Sequence, residues 1–239
     1  MAASRKSAPG TASRRRRKPL WIFGLGNFAE MAHHLFGTGS DYDVQGFVVD
    51  GAFLDRASFR GLPALAWEDF AARHDPADVS LFVAIGVGRI NTLRAARVEQ
   101  LLAEGWHLAH FVSSKASICD DLELGPNTMI MDQVNVHPMV RIGHDTIVWS
   151  NSRIALKVDI APHVWITSAV IGESAHIGEC SFIGLNATVA PFVRVASHNL
   201  IGAAALIAQD TRDHEVYRGP RSRASQVSSL RLRNLQIIR

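Results

Sequence analysis

Two groups of residues in this sequence could do chemistry. The first is the loop Gly24-Leu25-Gly26-Asn27-Phe28-Ala29, with the spacing G-x-G-x-x-A. Glycines let a backbone approach a phosphate, and a helix starting there offers free N–H groups and a partial positive charge. Asp50 stands about 20 residues further on, where a carboxylate can take a ribose hydroxyl or a base. The same loop also reads as a tight turn with no ligand. The second group is the histidines of the carboxyl-terminal half: His137, His144, His163, His176 and His198. Each could serve as a general base, and each also reads as a hydrogen-bonded surface or turn residue. His33 and His34, on the first helix, read as structural. No His, Cys or Asp spacing suggests a ligand set, so no metal is expected.

The elements that position the first group alternate. Leu20–Phe23 reads as a strand, then a helical pattern runs through Phe36 until Gly37 and Gly39 stop it. Val44–Asp50 reads as a second strand ending in its acid, and Leu81–Ile85 as a third, closed by Gly86-Val87-Gly88. Ile90–Glu104 is a second long helix. Strands alternating with helices argue for a parallel sheet. A dinucleotide fold needs two such halves, and only about one fits before residue 112. The reading is therefore a Rossmann-like half-domain over residues 19–112 that binds a mononucleotide or nucleotide-sugar. NAD is the reading that rests on the glycine loop alone.

From Ile118 onward the pattern changes. Aliphatic residues recur in sixes: Ile118, Leu124, Ile130, Val136, Ile142, Val148, Ile154, Ile160 and Ile166. One step of five reaches Ile171, and sixes resume through Ile177, Ile183, Val189, Val195, Ile201 and Ile207. The residue after the anchor is often Gly, and the residue two before it is often small. No helical period gives this. Six-residue repeats are the signature of a parallel β-helix, with three short faces per coil of about 18 residues. Residues 113–209 are thus expected to form about five coils. The repeat argues a fold and leaves the activity open.

The two ends differ from the middle. Of the chain's 25 basic residues, seven lie in residues 1–18, which hold no acid; the remainder carries 18 basic against 22 acidic residues. That arm, rich in Ala, Ser, Pro and Gly, is expected to be disordered and solvated. A basic arm can also touch nucleic acid or an anionic membrane; no nucleic-acid partner is expected. It lacks the apolar run of a secretory signal, and no stretch approaches the ~18 apolar residues of a membrane helix. Two cysteines, Cys119 and Cys180, suggest no disulfide framework, which points to the cytoplasm. Residues 210–239 read as a turn at Gly219-Pro220 and a short amphipathic capping helix with a basic face.

Together, Trp21-Ile22-Phe23-Gly24-x-Gly26-x-Phe28-Ala29-Glu30, Phe47-Val48-Val49-Asp50, Val83-Ala84-Ile85-Gly86, the repeats and Val216-Tyr217-Arg218-Gly219-Pro220 resemble one family. It is that of the bacterial hexapeptide-repeat sugar acyltransferases, which N-acetylate nucleotide-linked amino sugars or O-acetylate sialic acid. The resemblance spans about residues 20–239. It implies a left-handed β-helix, a homotrimer, acetyl-CoA as donor and a nucleotide-sugar acceptor in surface-polysaccharide synthesis. It implies that Gly24, Gly26, Asn27, Asp50, Gly86 and Arg89 face the sugar nucleotide. Gly184, Gly202, Ala203 and Pro220 would lie along the CoA groove between subunits.

One departure stands out. The family's catalytic histidine falls in the hexad after Ile154, which here reads Ile154-Ala155-Leu156-Lys157. Leu156 cannot accept a proton, and Lys157 is cationic unless buried. The five-residue step at Thr167–Ile171 falls close by. His137 and His163 are the weak substitutes. Trp149 and Trp165 flank this stretch and read either as walls of the groove or as packing. The resemblance thus implies acetyl transfer to a sugar, or a trimeric sugar-nucleotide-binding protein that has lost the transfer.

Overall fold

The computed structural model describes residues 17–224 together with 226 and 228. Most of the basic arm, and all but two positions of the expected capping helix, lie outside the described residues.

The first domain follows from strands that are apolar on both sides. Its elements are β1 (Lys18–Phe23), α1 (Asn27–Gly39), β2 (Tyr42–Val49), β3 (Ser58–Phe59), β4 (Leu62–Ala66), α2 (Trp67–Ala71), β5 (Ser80–Val83), α3 (Thr92–Ala103) and β6 (His107–Leu108). They form one sheet in the order β3-β4-β2-β1-β5-β6, parallel except for the β3–β4 pair. Successive residues of β1 enter opposite cores: Leu20 and Ile22 pack under α1, whereas Trp21 and Phe23 join Val98 and Leu101 of α3. Burial on both faces is why these strands read as unbroken apolar runs. Strand order reverses at β1, which has β2 on one side and β5 on the other, so the loops after β1 and β5 part at a topological switch point.

The anchors of the repeat stack as a left-handed parallel β-helix. One sheet carries Ile118, Val136, Ile154, Ile171, Val189 and Ile207 in register. A second carries Ile142, Ile160, Ile177 and Val195, with Leu124 bridging to Ile142. A third carries Ile130, Val148, Ile166, Ile183 and Ile201. It gains a strand at each end, Phe111–Val112 pairing with Met129–Ile130 and Val216–Tyr217 pairing with Leu200–Ile201. Fourteen of the sixteen anchors are buried; Ile118 and Leu124, in the first coil, are half-covered. Inward aliphatic side chains on neighbouring coils are about 4.8 Å apart, so each coil is capped by the next.

The outward residues of the three sheets differ, and that difference docks the first domain. On the third sheet Phe111, Met129, Ile147, Trp165 and Phe182 join Phe28, Phe36 and Phe82 in one core, whereas Leu200 and Val216 at its far end lie outside it. On the second sheet the outward residues include Arg141, Asp159, His176 and Arg194 and stay in solvent or half-buried.

Candidate functional site

The loops after β1 and β5 meet the third sheet across a crevice of about 570 Å³. Gly26, Asn27, Ala84, Gly86 and Val87 line one side, and Trp149 and Trp165 the other. The two glycine positions behave differently. Gly24 has φ +133°, and a Cβ there would lie 2.9 Å from the Ala84 carbonyl oxygen, so it serves the turn. Gly26 and Gly86 have nothing within 4 Å of a Cβ position, so their bare backbone opens onto the crevice. Trp165 is held edge-on by Phe28 at 5.0 Å, and Trp149 lies 5.8 Å from Trp165. The Trp149 Nε1–H is buried with no hydrogen-bond partner among the described residues. A larger depression of about 1020 Å³ beside His33, His34 and Arg60 is lined by the first domain only.

The other expected nucleotide-binding residues do not line this crevice. The Asp50 carboxylate accepts both its bonds from Arg97 Nη2 of α3, at 2.5 and 2.6 Å, and that guanidinium lies over the Phe23 ring. Asp50 is thus committed to a half-buried ion pair before any ribose arrives. Arg89 is exposed and begins a run with Ile90 and Asn91 in which φ is +49°, +52° and +63°. Three non-glycine residues in the left-handed region are strained, the more so with a β-branched isoleucine among them. The strain is held by Asn91, whose Nδ2 donates to the carbonyl of Ser181 at 3.1 Å and more weakly to that of Cys180 at 3.4 Å. Contact with the β-helix therefore fixes the loop that rims the crevice.

A buried polar network makes the same connection one turn further on. The corner from the second sheet to the third places Asn127, Asp145, His163 and Cys180 at equivalent turns of successive coils, all with φ between +54° and +62°. Among residues with a side chain, Asn and Asp tolerate that conformation best. Asn127 accepts from the Val83 N–H at 2.7 Å and donates to the Val83 carbonyl at 3.1 Å, as a neighbouring strand would. Arg94 of α3, fully buried, donates to the Asp145 carboxylate at 2.8 Å and to the backbone carbonyls of Asp145 and His163 at 3.2 Å. Asn127 also donates to Asp145, and His163 Nδ1 lies 2.9 Å from its other oxygen. Beyond His163, Glu99 of α3 meets both His163 Nε2 at 3.3 Å and His144 Nε2 at 2.6 Å. Burial, then the nearby Glu179 charge, pushes the Cys180 thiol up to about 11, so it is no nucleophile at neutral pH.

The structure separates the two substitute bases. His163 is buried and both its ring nitrogens face carboxylates. His137 is half-buried, with no side-chain hydrogen bond among the described residues, and its backbone N–H bonds to the Ile154 carbonyl beside Ala155. Leu156 is half-buried and Lys157 exposed at the same corner. Sequence reasoning missed Asn91, Arg94 and Asn127. An arginine on the apolar side of a helix was the available signal, because a fully buried charge needs a partner.

Gly184 and Gly202 stack at one corner, and a Cβ on either would come within 3 Å of the next coil's backbone. The coil itself requires these glycines. Ala203 follows Gly202 directly, and Pro220 follows Gly219, which packs against the Ala203 carbonyl; both Ala203 and Pro220 are exposed.

No protein-family pattern and no curated protein matches this sequence. Solved structures do match. The acetyltransferase domain of PglB from Neisseria gonorrhoeae FA1090 aligns with a TM-score of 0.74 at 21% identity, over 84% of this chain and 96% of that one. A mutant perosamine N-acetyltransferase from Caulobacter crescentus, solved with CoA and GDP-perosamine, aligns with a TM-score of 0.74 at 21% identity, over 83% and 92%. The PglB domain in complex with acetyl coenzyme A gives the same score and identity, over 84% and 95%. This chain shares their fold. Among the described residues no helix is long and apolar enough to cross a membrane.

Proposed function

We propose that this chain is a cytoplasmic homotrimer that transfers an acetyl group from acetyl-CoA to a nucleotide-linked or related sugar in surface-polysaccharide synthesis. The observation that carries the reading is the crevice. It sits at the switch point of the first domain, where nucleotides bind in open parallel sheets, and two tryptophans of the β-helix form its far wall. Gly26 and Asn27, at the start of α1, suit a phosphate; Gly86 leaves room beside it. The unpartnered Trp149 N–H suits a sugar or base oxygen. Gly24, Asp50 and Arg89 support the crevice from behind and at its rim. Gly184, Gly202, Ala203 and Pro220 are assigned to the CoA groove. Exposed Met139 and Phe192, on one corner, suit a neighbouring subunit.

In this reaction the acceptor attacks the thioester carbonyl, loses a proton, and the CoA thiolate leaves. With leucine at position 156 no side chain there takes the proton. An amine of low pKa arrives already deprotonated and loses its proton to water after attack, whereas a hydroxyl needs a base. An amino sugar is therefore the acceptor this site favours. His137 is the remaining candidate base beside that corner.

The same leucine favours a second reading, a trimer that binds the sugar nucleotide and transfers nothing. Thiol release from acetyl-CoA with a panel of UDP- and GDP-amino sugars separates the two, run on the wild-type chain beside a Leu156→His, Lys157→Glu variant. Wild-type turnover supports transfer, and loss of it in His137→Ala locates the base. Turnover in the double variant alone supports the binding protein. Absence of heat on titrating every nucleotide-sugar into the wild-type chain defeats both.

A further inference from the structure

We infer that Glu99, His144 and His163 form a binding site for a divalent transition-metal ion, zinc above all, clasping the first domain to the β-helix. The site lies outside the crevice and does not rest on the acyl-transfer reading. His144 and His163 occupy the same corner on adjacent coils, and Glu99 reaches them from α3. The ligating atoms, one from each residue, all lie within 4.8 Å of one another. Atoms bound at ~2.0–2.1 Å to a tetrahedral zinc are about 3.3 Å apart. The His163 Nε2–Glu99 Oε1 separation is 3.3 Å. The 2.6 Å His144–Glu99 contact must open by a few tenths of an ångström, which a rotation of the exposed glutamate supplies.

The outer shell is already built for a metal. Asp145 receives the His163 Nδ1–H at 2.9 Å, which leaves the Nε2 lone pair pointing at the cluster. A carboxylate behind a histidine is the usual support of a metal ligand, and this one is itself fixed by Arg94 and Asn127. The cation takes the place of the proton shared between His144 Nε2 and Glu99. Two imidazoles and one carboxylate suit zinc, cobalt or nickel, not calcium or magnesium. Water completes the coordination, since His144 and Glu99 are partly open to solvent. The spacing rules missed the set because its carboxylate comes from a different domain, 45 residues before His144.

The test uses the full chain without an affinity tag, stripped with EDTA. Competition with a chromogenic chelator measures zinc binding, and the d–d spectrum of added cobalt(II) reports the ligand geometry. The expected result is roughly one zinc per chain, a four-coordinate cobalt spectrum, and a raised unfolding temperature with zinc. His144→Ala and Glu99→Gln should abolish the cobalt signal, and Asp145→Asn should weaken zinc binding by about 10–100-fold. His33→Ala, outside the cluster, should change nothing. Circular dichroism serves as the control that the exposed Glu99→Gln variant is folded. Failure of the wild-type chain to compete with the chelator overturns the inference, and so does binding that survives Glu99→Gln and His144→Ala unchanged.

Discussion

Two corners of the β-helix have the same backbone and opposite contents. The corner between the second and third sheets carries Asn127, Asp145 and His163, is covered by α3, and holds a buried charge network. The corner between the first and second sheets carries His137, Leu156 and Lys157, is open, and has no side-chain hydrogen bond to any of the three among the described residues. Both use left-handed turn residues, at Asp145 and His163 on one side and at Lys157 on the other. Backbone geometry therefore fixes neither role. What differs is whether a second element closes over the corner and removes its polar atoms from water.

The bare corner should give the largest change. Installing histidine and an orienting acid at Leu156 and Lys157 should raise thiol release by about 10²–10⁴-fold, the range a positioned general base contributes. No gain, with the protein folded and the nucleotide-sugar bound, would mean that this corner does not face the reacting atoms. The covered corner should break next. Asp145→Ala strands the fully buried Arg94 guanidinium and should cost about 3–5 kcal/mol, read in urea unfolding. An Arg94→Met change added to it should recover part of that loss, because the pair is coupled. The crevice comes third. Trp149→Ala should weaken nucleotide-sugar binding about tenfold, roughly 1.4 kcal/mol by calorimetry, with little change in stability.

Legibility in the sequence follows the same division. The coils could be read because Ile154, Ile171 and their equivalents obey one local rule, an aliphatic side chain pointing inward at a fixed interval. Gly26, Asn27 and Gly86 could be placed because a strand, a loop and a helix follow one another directly. Trp149 and Trp165 read either as walls of the groove or as packing, and they prove to close a crevice with Gly26 and Gly86. Arg94–Asp145 and the Asn127–Val83 pair could not be read, since they join positions 51 and 44 residues apart with no period linking them. Asp50 shows the converse. Its place at a strand end suggested a ribose, but Arg97, in the second turn of α3, pairs with it. The short β4–α2 segment went unread because Pro63 interrupts an already brief apolar run, and proline marks an edge rather than a strand interior.

The smallest effect should come from the charged second sheet, and it tests whether burial alone sets the ranking. Arg141 donates to Asp159 across adjacent coils at 3.1 Å, an arginine–aspartate pair like the one Arg94 of α3 makes with Asp145, but the Arg141 side chain is 81% exposed. Its removal should cost about 0.2–1 kcal/mol, and molar salt should shrink the difference. Burial alone would raise the Asp159 carboxyl, yet hydrogen bonds from Arg141 and His176 outweigh it and hold the group below its ordinary 3.8. A carboxyl depressed on folding stabilises above its unfolded value, and that stabilisation is lost as pH falls through the folded one. Arg141→Ala should therefore flatten the acid limb of the stability curve below about pH 4 and leave the neutral region nearly unchanged. A loss at neutral pH as large as that of Asp145→Ala would show that coil-to-coil ion pairs matter whatever their exposure, and the contrast between the two corners would then rest on something other than solvent.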